Sequence, residues 1–151
     1  RTQRDFSKIV DNFELIMHYD RLKVTLKSGM LVRERLPRYI LHGSKGSFVK
    51  CGLDPQEGAL NQGRRPSEAN WGIEPRSNWG RINTEIEGLH VEGEIETEAG
   101  CYQAFYQNIA EVLLDRAELA VTPEQAFNTI RIIELALKSN TEKCSIDFTA
   151  T

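Results

Sequence analysis

A chain of 151 residues, 40% apolar and 27% charged, is long enough for one globular domain, which at that size buries about two-thirds of the surface its unfolded form exposes. No apolar run approaches the roughly 18 residues of a membrane span, and the composition is not that of a disordered segment. A net charge of −3 with both signs interspersed supplies no basic field for DNA or RNA, so neither a nucleic-acid partner nor a membrane is expected.

Cys51, Cys101 and Cys144 lie far apart and include no C-x-x-C pair. That argues against a zinc site and a disulfide framework, and a reducing cytoplasm is the simplest location. The opening RTQRDFSKIV has neither an initiator methionine nor the apolar stretch of a secretion signal. The chain therefore reads as a piece of something longer, or as a processed form.

From Asn12 to Tyr19, Phe13, Leu15, Met17 and Tyr19 alternate with Asn12, Glu14, Ile16 and His18, the period of a strand. Asp20 and Arg21 link it to a second alternating run, Leu22, Val24 and Leu26 against Lys23, Thr25 and Lys27. The pair predicts an antiparallel hairpin. Two further extended runs follow, Tyr39 to His42 and Ser47 to Cys51, the first entered through Pro37. Residues 52 to 83 hold three of the five prolines and no sustained period, which predicts a long surface excursion anchored by Trp71 and Trp79. Leu89, Val91, Gly93, Ile95 and Thr97 then alternate with His90, Glu92, Glu94 and Glu96. Three carboxylates on one strand face invite an acid/base or metal reading, but same-face neighbours on a strand are roughly 7 Å apart. A solvated or subunit-facing surface, answered by Lys23 and Lys27 on other strands, is the expectation.

The period changes after Gly100. Tyr102, Phe105, Ile109, Val112 and Leu113 fall at three- and four-residue intervals, an amphipathic helix. In VTPEQAFNTIRIIELALKSN, Thr122 is a natural N-cap, Pro123 fits the first helical position and Gln125 completes a capping box, with Ala126, Phe127, Ile130, Ile133, Ala136 and Leu137 as the predicted buried stripe. A last short strand is expected over Cys144 to Phe148.

The glycine-rich YILHGSKGSFVK, residues 39 to 50, raises the question of a phosphate loop. Such loops feed the amino terminus of a helix, where unpaired amides converge. Here an extended run follows Gly46, and neither G-x-x-x-x-G-K-[ST] nor G-x-G-x-x-G occurs. A hairpin tip with glycines at positive φ is the better reading. His18, His42 and His90 have no second ligand at metal spacing, no G-x-S-x-G elbow is present, and the cysteines have no predictable base.

Three stretches carry a resemblance: LKVTLKSGMLVRERLPRYILHGSKGSFVK, CGLDPQEGAL and VTPEQAFNTIRIIELALKSN. Together they resemble the carboxy-terminal domain of the Gfo/Idh/MocA family of NAD(P)-dependent oxidoreductases, the glucose–fructose oxidoreductase and inositol dehydrogenase relatives, over nearly the whole chain. The resemblance implies an α+β fold, an open, mostly antiparallel β-sheet with two carboxy-terminal helices packed on one face. It implies that residues 1–151 form a single substrate-binding and oligomerisation domain, with the amino-terminal dinucleotide-binding domain absent from this chain. It further implies reversible hydride transfer between NAD or NADP and a sugar- or polyol-type hydroxyl in the parent, and a homodimer through the open sheet face.

Family catalysis uses a lysine in an E-K-P motif and a D-x-G-x-H-type helix. Neither is present: Glu142-Lys143 is followed by Cys144, and the helix motif is expected upstream of Arg1. Catalytic, cofactor-binding and metal residues are accordingly expected outside this chain, which alone should be inactive because hydride transfer needs the nicotinamide held against the substrate carbon. Glu14, Lys23, Thr25, Lys27, Arg38 and Glu92 are candidates for lining either the substrate or a subunit, and the pattern does not divide them. The competing reading is a free-standing ligand-binding or dimerisation module without redox chemistry.

Overall fold

The structure, a computed structural model, describes residues 10–149. The chain forms two compact units, one from the two ends of the sequence up to Arg35 and from Val121, the other spanning Leu36–Ala120.

In the first unit the alternation of residues 12–27 becomes a hairpin of β1 (Asn12–Tyr19) and β2 (Leu22–Gly29). They pair antiparallel, Asn12 opposite Gly29 through Tyr19 opposite Leu22. Asp20 turns the chain at a φ of 37°, a left-handed conformation that aspartate tolerates better than most residues.

In the second unit β3 (Tyr39–Gly43) and β4 (Gly46–Lys50) form the glycine hairpin, with Gly43 opposite Gly46. The hairpin leads into a strand, not a helix. Its glycines differ from expectation in one respect, since neither has a positive φ. What Gly46 supplies is room: a Cβ there would lie 2.5 Å from the Thr84 side chain and 2.6 Å from the Asn83 carbonyl oxygen.

Residues 52 to 83 are more ordered than expected. They contain α1 (Gln56–Asn61), a single 3₁₀ turn at Arg76–Asn78, and the start of β5 (Gly80–Ile86). A helix of six residues with a glycine inside it produces no readable period, and β5 opens on a glycine directly after a turn. β6 (Leu89–Ile95) completes a four-stranded antiparallel sheet in the order β3-β4-β5-β6. It ends before Glu96. The α+β class with open antiparallel sheets and helices towards the carboxy terminus is as expected.

α2 (Tyr102–Leu113) belongs to the second unit and α3 (Pro123–Glu142) to the first. The start of α3 matches its sequence signature: the Thr122 side chain accepts from the Gln125 amide, and the Gln125 side chain accepts from the Thr122 amide.

The predicted stripe of α3 requires correction. Phe127, Ile130, Ile133 and Leu137 are all more than half exposed, and the half-buried side carries Ile132, Leu135, Ala136 and Ser139. The helix is apolar on two opposite sides, and a 3.6-residue period cannot say which side is covered first. The half-buried stripe lines a cavity of about 260 Å³ with Leu15 to Tyr19 of β1 and with Ser145, Ile146 and Phe148. Cys144 to Phe148 form no strand; Ser139 instead donates to the Cys144 carbonyl, 2.7 Å, turning the chain just past the helix.

No apolar side chain among the described residues is buried; the buried residues are the polar Gln56 and Glu74 and the glycines Gly72 and Gly80.

Candidate functional site

The four-stranded sheet presents two chemically distinct faces, set by strand register. One face carries a row that crosses all four strands: His42 opposite Ser47, Ser47 opposite Asn83, Asn83 opposite Glu92. The His42 Nδ1 and Ser47 Oγ lie 2.9 Å apart, and His90 Nε2 reaches Asn83 Oδ1 at 3.2 Å. In the next row the apolar Ile40 and Val49 lead to Arg81, which stands opposite Glu94, and Glu94 accepts from Arg76 Nε at 2.8 Å. Hydroxyl, amide, imidazole and carboxylate groups are thus gathered on one exposed wall, a set suited to a polyhydroxylated ligand or to a polar subunit contact.

The cation at Glu94 is Arg76, not Lys23 or Lys27. Those two lysines belong to the separate two-stranded sheet, where Lys27 pairs with Glu14 at 3.0 Å and Lys23 faces His18. Thr25 lies opposite Ile16, and Arg38 rests over the Tyr39 ring, 5.7 Å from its centre. Of the six polar candidates, then, four sit on the β1–β2 hairpin, while Arg38 and Glu92 belong to the second unit.

The second unit also holds a polar node that no local pattern reveals. Asp54 accepts from the Gln56 amide and from Gln56 Nε2, both at 2.9 Å. Gln56 Oε1 in turn accepts from Trp71 Nε1 and from the Tyr102 amide at the start of α2, each at 2.9 Å. One side chain therefore ties α1, a tryptophan loop and α2 together. Trp71 anchors its loop as its sequence context suggests. Close beside the node Gly72, at a φ of +72°, brings its carbonyl oxygen 3.0 Å from the Gly100 amide. Lys50 Nζ donates to Glu74 at 2.6 Å and to the Asn78 carbonyl at 3.0 Å, a pair largely withdrawn from water.

Two exposed carboxyls are held below the ordinary range. Glu68 is lowered by its bond from the Arg64 side chain and the Arg65 amide, and Glu124 by the amides and the Thr122 hydroxyl at the start of α3.

The glycine hairpin does not fit a dinucleotide. It ends in β4, and a pyrophosphate needs converging amides at a helix start. Among the described residues no three His, Cys, Asp or Glu side chains converge in a way that would hold a metal ion. No described helix is long and apolar enough to cross a membrane. Cys51, Cys101 and Cys144 are free and exposed.

Residues 1–148 match the model of the oxidoreductase family C-terminal alpha/beta domain, GFO_IDH_MocA_C. The scyllo-inositol 2-dehydrogenase (NADP(+)) IolW of Bacillus subtilis (strain 168) is 40% identical over 145 residues, covering 95% of this chain and 40% of that protein. The uncharacterized oxidoreductase YdgJ of Escherichia coli (strain K12) is 35% identical, covering 95% and 41%. Among solved structures, the oxidoreductase yvaA from Bacillus subtilis superposes with a TM-score of 0.91 at 37% identity, covering 99% of this chain and 43% of its own. One from Bacteroides fragilis gives 0.89 at 38%, covering 98% and 45%. The chain spans about 40% of the length of the curated relatives it matches. This match over nearly every residue places the chain in the Gfo/Idh/MocA oxidoreductase family, as its carboxy-terminal α/β domain.

Proposed function

We propose that the chain is the substrate-side and subunit-contact domain of a longer NAD(P)-dependent oxidoreductase that acts on a sugar- or polyol-type hydroxyl. The observation that carries this is the polar row His42–Ser47–Asn83–Glu92 in a domain 40% identical to part of an inositol dehydrogenase. A ring of hydroxyls is recognised by alternating donors and acceptors at fixed spacing, and an antiparallel sheet supplies that spacing rigidly.

The nicotinamide supplies the hydride chemistry when bound. The glycine hairpin runs into β4 and does not fit its pyrophosphate, which supports assigning the cofactor to a part of the protein outside residues 1–151. In the full-length enzyme the role of this domain is to hold the substrate and exclude water while the other domain presents the cofactor. The second role is assembly: the open face of the sheet is assigned to a homodimer contact.

The test uses calorimetry and turnover. The full-length protein should bind NADH or NADPH, and should reduce NAD+ or NADP+ with an inositol or a related polyol as the hydride donor, while residues 1–151 alone should do neither. Micromolar cofactor binding by the isolated chain would overturn the division of roles; a full-length protein that binds no nicotinamide would overturn the oxidoreductase reading.

A further inference from the structure

The loop between α1 and Trp71 carries the run Arg64, Arg65, Pro66, Ser67, Glu68, and every residue from 61 to 70 is exposed. The Glu68 amide donates to the Arg65 carbonyl at 3.0 Å, closing a turn with Pro66 and Ser67 at its two central positions. The Glu68 carboxylate fastens that turn, accepting from Arg64 Nε at 2.9 Å and from the Arg65 amide at 2.8 Å. Those two donors, Arg64 first, hold the Glu68 carboxyl below its ordinary range. This point of the chain already favours negative charge.

Two groups of the turn are left over. Among the described residues the Arg65 guanidinium has no ion-pair partner and the Ser67 hydroxyl has no hydrogen-bond partner. Ser67 follows Arg64 and Arg65 by three and two positions, and no other serine or threonine of the chain has basic residues at both places. A phosphoserine carries about −1.5 to −2 charges at pH 7 and three acceptor oxygens. Guanidinium forks match those oxygens bidentately, which an ammonium group cannot do.

We infer that Ser67 is a phosphorylation site for a protein kinase with an acidic substrate groove, and that the phosphate, once in place, draws Arg64 and Arg65 to itself and displaces the Glu68 carboxylate. In the transfer Ser67 Oγ attacks the γ-phosphorus of ATP. A new O–P bond forms there, the bond from that phosphorus to the bridging oxygen breaks, the hydroxyl proton passes to the kinase's catalytic carboxylate, and ADP leaves. The Arg64–Glu68 pair is 47% and 44% exposed, weak enough to open for the groove and afterwards to exchange carboxylate for phosphate. The site stands whether or not the parent is an oxidoreductase.

The test incubates the folded full-length protein with magnesium, ATP and the catalytic subunit of the cyclic-AMP-dependent protein kinase, which selects paired arginines, and maps the phosphate by mass spectrometry. Uptake at Ser67 is expected, abolished in Ser67→Ala and at least tenfold slower in Arg65→Ala, whose bonds within the turn are made by the backbone. Followed by phosphorus NMR, the phosphoserine should titrate at lower pH in the native protein than in urea. No uptake by the native protein, uptake only at other residues, or uptake at Ser67 only after unfolding would overturn the site. Equal titration in the two states would overturn the capture by Arg64 and Arg65.

Discussion

Gln56 Oε1 accepts the indole N–H of Trp71 at 2.9 Å while its own residue is 1% exposed, and the same oxygen takes the Tyr102 amide from 46 residues away. The node holds a long loop and the start of α2 with one neutral side chain. In the full-length protein Gln56→Ala leaves both donors without an acceptor, each at about 1–3 kcal/mol. Urea unfolding followed by tryptophan fluorescence should show a loss of about 2–5 kcal/mol. Gln56→Glu should also be destabilised at neutral pH, because it places a second carboxylate against Asp54; a stability equal to the parent protein's would refute the role given to the amide.

The Lys50–Glu74 pair makes a prediction of asymmetric sign. Both side chains are mostly withdrawn from water, 14% and 7% exposed, so Glu74→Ala strands an ammonium and should cost about 3–5 kcal/mol. The double change Lys50→Met with Glu74→Leu removes both charges and should cost much less, since ion pairs at such sites spend most of their attraction on desolvation. Equal losses for the single and double variants, measured by chemical unfolding, would contradict this account.

Gly72 is confined by two independent constraints. Its φ is +72°, and a Cβ would strike the Gly100 carbonyl oxygen. Gly72→Ala should therefore lower stability by more than the roughly 1 kcal/mol of backbone strain alone. Gly88, also at positive φ but with open space around it, is the control: Gly88→Ala should show the strain without the collision. Thermal unfolding of the two variants side by side separates the effects, and equal losses would remove the steric argument.

At the start of α3, Thr122→Ala should cost about 1 kcal/mol through loss of the cap. Glu124 adds a pH dependence. Its folded-state pKa lies below the ordinary 4.5, so its contribution is complete above pH 4.5 and disappears as the pH falls through the lower folded value. The Glu124→Gln variant should lose that part of the acid limb. Identical pH profiles for the two proteins between neutrality and pH 3 would rule out the linkage.

What could be read from the sequence is what local chemistry dictates. β1, β2 and β6 follow from two-residue alternation, and the capping box at Thr122 from four adjacent residues. β5 escaped because Gly80 opens it inside a glycine- and proline-rich stretch, although Ile82, Thr84 and Ile86 do alternate. The Gln56 node was illegible for a different reason: its bonds span 15 and 46 residues, and nothing at position 56 distinguishes that glutamine from a surface one. The polar row was not legible, because Asn83 lies in the strand that escaped and its pairing with Ser47 is a matter of register, which alternation alone leaves open.

The two-sided character of α3 leaves little freedom for drift. At 100° per residue its charged positions Glu124, Arg131, Glu134, Lys138 and Glu142 fall within one arc of about 80°, which Phe127 shares. New charge in this helix is best tolerated within that arc or along the opposite polar strip of Gln125, Thr129 and Asn140, all exposed, so natural variants should confine their polarity changes to those two strips.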